Sequence, residues 1–544
     1  MAQAVAADNT KVLLDIAAVS GATAEQWADL SWRLDNIYWV VDKHARKVRF
    51  KMNPQQRQFI SRMWWRNLIL KARQLGFSTL IAILQLDQAL WRTNFNGVII
   101  SQSLPDAGKL FGKVEFAYDN LPALLREVYP VFDKNKGSKL TITHTDPRDG
   151  TPCNSTISVS VSSRGGTVQL LHISELGKIS LKFPQRAEEI KTGALPSAEE
   201  GVTIIESTAE GAFGLYWELC EPAIKRWHDG SPETRKDYRL HFFPWFEAAE
   251  YRMSDEDTAI VPIPPAMTAY FHKLEVELGV TIDRNQRAWY VKEQEIQKRK
   301  MKQEYPSTPE EAFEQAIEGA VYGEEMTWLR DHNRIGKGRV QLDPNYPVNT
   351  FWDLGTNDAT AIWFHQCVHG QHRWFYYLQG SGKGLRYWWI EKLEKHREKY
   401  KYQWGRHFLP HDADADIQGE EVQTPNQILT GLGMQNIKVV PRVHHLSQGL
   451  EVTRRELAGN HWFDSHVPDE EKGEDMGAGL GVKCMDGYQF EWDDKLGVWS
   501  REPLHNWASH GADAWRQFAQ GWNNTDLATS GSMAKFKQRP RRGI

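Results

Sequence analysis

Four short runs constrain this chain more than any other feature: NLILKA (67–72), GVIISQS (97–103), VQLLHIS (168–174) and VTIIEST (202–208). Each is built around a short apolar stretch and is too short for a buried helix, so each reads as a short buried strand. Helical patterns at 78–91 and 106–118 separate the first of them, and KLTITHT (139–145) and TISVSVSS (156–163) add further strands. An α/β sheet with helices on both faces satisfies that pattern. This block runs from 51 to about 250, and NPQQRQFISRMWW at its start reads as a helix with Pro54 in its first turn.

A chain of 544 residues is long for one core, and several domains are expected. Residues 1–50 read as a small helical extension. Residues 251–345, proline-rich and then highly charged, read as a linker or bridging subdomain. A second strand-rich block, 346–525, contains NTFWDLG, DATAIWFHQC and HRWFYYLQG, a helix at about 384–403, then HFLPHDA and a helix on GADAWRQFAQ. That order is a mixed-sheet α/β plan. Residues 526–544 read as a basic tail expected to be disordered, whose last twelve residues carry two lysines, three arginines and no acid.

No run approaches 18 apolar residues and the N-terminus lacks a signal-peptide pattern, which argues against spanning a membrane or secretion. The four cysteines are scattered, so neither a disulfide framework nor a cysteine zinc site is expected, and a reducing cytoplasm fits. CVHGQH (367–372) reads as a hairpin turn in preference to zinc ligands. The net charge of -4 decides nothing about nucleic acid, because a local basic groove fits inside a neutral total.

KARQLGFST (71–79) has the context of a phosphate loop: a buried strand, a tight turn at Gly76, then a helix whose N-terminal amides favour phosphate oxygens. Ser78 is the candidate magnesium ligand and Thr79 a phosphate donor. The lysine expected before them is replaced by Phe77, which leaves Lys71 or Arg73 to supply positive charge. Glu175, at the C-terminal edge of the strand VQLLHIS, is placed to polarise an attacking water. Ser174 stands where a magnesium-holding aspartate is common. Glu206, Ser207 and Thr208 end another strand, where they would sense a γ-phosphate. Arg164, in SSRGGT, is equally a charge-compensating finger and an ordinary turn arginine.

In the second block Asp353 ends a strand, Asp412 follows another, and Asp513 lies near the start of a helix. Carboxylates converging there would hold Mg²⁺ or Mn²⁺, and a pair of such ions suits phosphodiester cleavage. Asp358, Asp414 and Asp416 are rivals by position. His411 and His510 lie beside proposed ligands, as proton shuttles or as structural histidines.

The ordered set NPQQRQF, KARQLGFST, HISELG and ESTAEGAFG resembles the ATPase half of the tailed-bacteriophage terminase large subunit. EYPSTPEEAFEQA resembles that family's segment between motor and nuclease, and the later block resembles its ribonuclease-H-like nuclease. The resemblance implies a P-loop ATPase followed by that nuclease. It places Gln56 against the nucleotide base, Arg73, Gln74, Leu75, Gly76, Phe77, Ser78 and Thr79 in a divergent Walker A, and Glu175 as catalytic glutamate. Ser207, Thr208 and Ala209 become the coupling motif, and Asp353, Asp412 and Asp513 the nuclease triad. ATP with Mg²⁺, and two Mg²⁺ or Mn²⁺ ions, are the implied cofactors.

Implied partners are double-stranded DNA, a portal protein, a small terminase subunit and further copies in a ring on the procapsid. The implied setting is the host bacterial cytoplasm, and the implied task is ATP-driven packaging and cutting of viral DNA. A helicase-like or repair ATPase fused to a nuclease, and a non-catalytic DNA-bound capsid component, are the alternatives.

Overall fold

The computed structural model describes residues 21–523 except 147–149, 162–165, 315–318, 356–358, 415–422, 444, 469–475 and 494–497, together with the side chain of 299. The chain divides at Gln315 into two compact units.

The first unit opens with helices Ala24–Ala28 and Leu30–Asn36 and a hairpin of β1 (Trp39–Val41) and β2 (Lys47–Arg49). The helical extension expected over 1–50 is therefore partly strand. It is also no appendage, since Leu34, Tyr38 and Phe50 enter the same core as Leu80 and Leu90. A fully buried ion pair between Arg33 and Asp87, 2.8 Å, ties it down.

Eight strands follow: β3 (Arg66–Lys71), β4 (Asn96–Ile100), β5 (Val131–Asn135), β6 (Lys139–Thr145), β7 (Pro152–Ser160), β8 (Leu170–Ser174), β9 (Val202–Ser207) and β10 (Arg239–Phe243). They form one sheet in the order β10-β3-β9-β8-β4-β7-β6-β5. Strands β10 to β7 in that order run parallel, while β6 and β5 are antiparallel at one edge. The apolar runs explain why. Successive side chains of β3 enter opposite cores, Ile69 on one face and Leu68 and Leu70 on the other. β4 repeats this with Ile99 against Val98 and Ile100. Both faces need helical cover, and Phe77–Trp91 and Gly214–Asp229 lie on opposite ones.

The bridge expected over 251–345 is not a body of its own. Phe271, Leu274, Tyr290 and Met301 belong to the core of the first unit. Val321, Tyr322, Met326 and Leu329 belong to a core of the second. Its charged residues cover amphipathic helices whose apolar stripes find those cores, which composition hid.

The second unit has β11 (Ile335–Gly336), β12 (Val348–Asp353), β13 (Ala359–Val368), β14 (Gln371–Ser381), β15 (Trp404–Leu409), β16 (Ile437–Val439) and β17 (His461–Asp464), in the order β11-β17-β14-β13-β12-β15-β16. β12, β13 and β14 pair antiparallel, and β12, β15 and β16 pair parallel. This is a mixed α/β sheet, as the order of strands and helices in the sequence led one to expect. Helix Trp507–Gly521 packs on β12 and β13 through Trp515 and Phe518. The β13–β14 connection is the expected hairpin, with His369 (φ 51°) and Gly370 (φ 77°) as its two central residues. All four cysteines are free thiols.

Candidate functional site

β3 leads into the loop 72–76, where Gln74 (φ 57°) and Gly76 (φ 76°) both turn left-handed and redirect the chain into helix Phe77–Trp91. A cavity of about 250 Å³ opens ahead of that helix. Lys71, Arg73 to Thr79, Glu175 and Thr208 line it, joined by Lys113 and Lys178. The sequence reading named neither lysine, because both sit in ordinary amphipathic helices.

Phe77 is 1% exposed and its ring packs between Phe59 and Phe243. The position expected to carry a lysine is thus filled by core packing, and the charge enters from elsewhere. Lys71 Nζ lies 3.3 Å from Glu206 Oε2, and Arg73 Nε lies 3.2 Å from Glu304 Oε2.

Gln56 does not line the cavity. Its amide nitrogen donates to the carbonyls of Leu75 (3.4 Å) and Gly76 (3.0 Å), while its Oε1 accepts from the Asn53 amide. It buttresses the loop from behind, where the capping box of helix Pro54–Arg62 holds it.

Glu206 is the hub beneath the loop. It is fully buried, and its Oε1 accepts hydrogen bonds from the Ser78 hydroxyl and from Ser174 Oγ (3.2 Å). Ser174 faces Glu206 across the β8–β9 register. The neighbouring strand thus places a carboxylate beside Ser174. Burial alone would push the Glu206 carboxyl up, but Lys71, His172 and Ser78 outweigh it and hold the group below the usual range.

Glu175 begins helix Leu176–Lys182 with a left-handed backbone, φ 60°, an uncommon conformation for a non-glycine residue and one that recurs at functional positions. Its Oε2 lies 2.9 Å from Lys178 Nζ. Burial lowers the proton affinity of Lys178, but Glu175, Glu210 and Glu304 overcome this and raise it. Glu210, another residue the sequence reading missed, is pushed up to about 7 by burial, against Lys178 and with Glu304 and Glu175.

Of the coupling candidates, Thr208 touches the cavity. Ser207 Oγ accepts from the Gly177 amide at 3.0 Å, and Ala209 is buried. A side chain at Gly177 would strike the Thr208 carbonyl at 2.7 Å, so the turn after β9 presses directly on the helix that Glu175 starts. Arg164 lies outside the described residues.

In the second unit Asp353 ends β12, and its Oδ2 pairs with His510 Nδ1 at 3.0 Å. Asp513 lies one helical turn further along, with Oδ1 2.9 Å from Arg516 Nη1. Burial raises the Asp513 carboxyl to about 6, Arg516 opposes this, and the charge of Asp353 adds to it. Asp412, in the turn His411–Asp414 after β15, is raised by partial desolvation, eased by His411 and raised again by Asp353. Asp353 thus repels both other acids of the expected triad. Asp414 turns away to accept from Asn426 Nδ2 at 2.9 Å. Asp358 and Asp416 lie outside the described residues.

Hard oxygen donors that repel one another suit a divalent cation. Among the described residues, no set of three acids, histidines or cysteines encloses one as it stands. No described helix is long and apolar enough to cross a membrane.

No family model matches the chain, and no curated protein matches it. Among solved structures it is similar to the large terminase of bacteriophage HK97, at 13% identity over 87% of this chain and 96% of that one, with a TM-score of 0.39. It is also similar to the large terminase ATPase domain of Thermus phage P74-26, at 15% identity over 47% and 94%, with a TM-score of 0.33. The nuclease domain of the P22 large terminase matches at 13% identity over 35% and 87%, with a TM-score of 0.23.

Proposed function

We propose that this chain is a terminase large subunit: its first unit hydrolyses ATP to drive double-stranded DNA into a procapsid, and its second cuts that DNA with divalent metal. The observation that carries the first half is the cavity where the 73–79 loop, four basic side chains and Glu175 meet ahead of one helix.

In this reading the loop amides and the helix N-terminus hold the phosphate chain. Glu175 accepts a proton from, or orients, the water that attacks the γ-phosphate in line. Magnesium would be held by Ser78, with Glu206 behind it, and would supply charge neutralisation at the phosphates. The residues fit this ion, since the Ser78 hydroxyl and a buried carboxylate already meet there. Thr208, facing the cavity on the turn that presses against the Glu175 helix, would report hydrolysis to the DNA grip.

In the second unit Asp353, Asp412 and Asp513 would hold the divalent ions, which supply an activated water and a stabilised leaving oxygen. The His510 pairing orients Asp353. Packaging also implies a portal, a small subunit, a ring of copies and action at the procapsid in the host cytoplasm. These follow from the family resemblance.

One experiment tests the whole reading. The full-length protein should turn over ATP, and with Mn²⁺ it should nick double-stranded DNA. An absence of ATP turnover in protein that binds the nucleotide would overturn the motor half, and intact DNA after prolonged Mn²⁺ incubation the nuclease half.

A further inference from the structure

We propose that Lys113, from helix Leu104–Asp119, is the cation that grips the polyphosphate chain in place of the lysine absent at Phe77. The inference rests on the nucleotide reading above and names a residue that no loop motif contains.

Four basic side chains line the cavity: Lys71, Arg73, Lys113 and Lys178. Three of them face a carboxylate. Lys71 is paired with Glu206, Arg73 with Glu304 and Lys178 with Glu175. Lys113 differs. Its Nζ donates to a neutral acceptor, Thr79 Oγ1, at 2.9 Å. Thr79 lies in the first turn of the helix behind the loop, so the ammonium stands at the place where that helix receives an anion. An ammonium carries three donors, and one serves Thr79.

The electrostatics agree with a site built to receive negative charge. Burial lowers the proton affinity of Lys113 the most, Glu206 opposes this and Lys71 adds to it. A phosphate chain in the cavity supplies the counter-charge that would restore it. Packing explains how a residue 36 positions from Phe77 does this work (113 minus 77). Helices Phe77–Trp91 and Leu104–Asp119 lie side by side, with Phe111 and Val114 in the same core as Leu80 and Leu84. The residue between Phe111 and Val114 that points along the seam is Lys113, and it reaches Thr79.

The test uses the full-length protein and titrates ATP and inorganic tripolyphosphate, with Mg²⁺, by calorimetry. Lys113→Met should weaken both by about tenfold or more, the scale of a lost charge-assisted hydrogen bond. An equal loss for tripolyphosphate places the effect on the phosphates and not on the base. Lys113→Arg should recover part of the affinity. A second readout needs no substitution: ATP and tripolyphosphate should both slow acylation of Lys113 in the unaltered protein. Affinities of Lys113→Met within twofold of the parent, or acylation at one rate with and without ATP, would overturn the assignment. If the unaltered protein binds neither ligand, the nucleotide reading itself fails, an outcome distinct from the other two.

Discussion

Lys71 and Glu206 form an ion pair across adjacent parallel strands, Nζ to Oε2 3.3 Å, with side-chain exposures of 8% and 0%. Removing one partner of such a pair strands a charge out of water, at a cost of about 3–5 kcal/mol. Lys71→Met should lower the stability of the first unit by that amount in chemical denaturation. The double variant Lys71→Met/Glu206→Gln should lose less than the single one. A single-variant loss below about 1 kcal/mol would show that the pair is open to solvent.

Glu175→Gln keeps the size of the side chain and removes its basicity. Turnover of ATP should fall by about 100-fold or more, the usual scale for a general base, while ATP still binds. Steady-state hydrolysis and calorimetric binding, measured on one preparation, check both halves. Normal hydrolysis would remove Glu175 from the mechanism.

Asp353 contributes its charge to both Asp412 and Asp513 and accepts from His510. Asp353→Ala should abolish Mn²⁺-dependent nicking of supercoiled DNA and leave ATP hydrolysis intact. Loss of both activities would point to a folding defect.

Histidines 365, 372 and 461 stack in the core of the second unit, with His365 Nε2 2.9 Å from His372 Nδ1. Burial lowers all three, His372 to about 4, and the neighbouring rings lower His365 and His461 further. The unfolded chain protonates them near the ordinary value of about 6.5, so it binds more protons than the folded chain below that pH. Stability should therefore be full above about pH 7 and fall as the pH drops from 6.5 towards 4. His372 alone accounts for up to about 3 kcal/mol. Thermal midpoints recorded from pH 7.5 to 5 test this, and a flat profile would contradict it.

Much of this was legible in the chain. Period and length of the apolar runs gave the parallel strands, because a strand buried on both faces has little use for polar residues. The hairpin at His369 and Gly370 was visible for a similar local reason. The division near Gln315 was not, since amphipathic helices such as Arg284–Gln297 hide their apolar stripe among charges. That the Gln56 amide holds the Leu75 and Gly76 carbonyls was not legible either, because a motif match does not say which way an amide points.

The sequence by itself determined which segments are strands and helices, and which carboxylates and hydroxyls fall at strand ends, since those properties depend on neighbours within a few residues. Only the tertiary structure decided which basic side chains gather around the 73–79 loop. Lys113 meets Thr79, and Glu206 meets Ser78, across elements far apart in the chain. Burial and pairing then leave one cation facing a neutral hydroxyl while the others are neutralised by carboxylates, and no local pattern of residues encodes that difference.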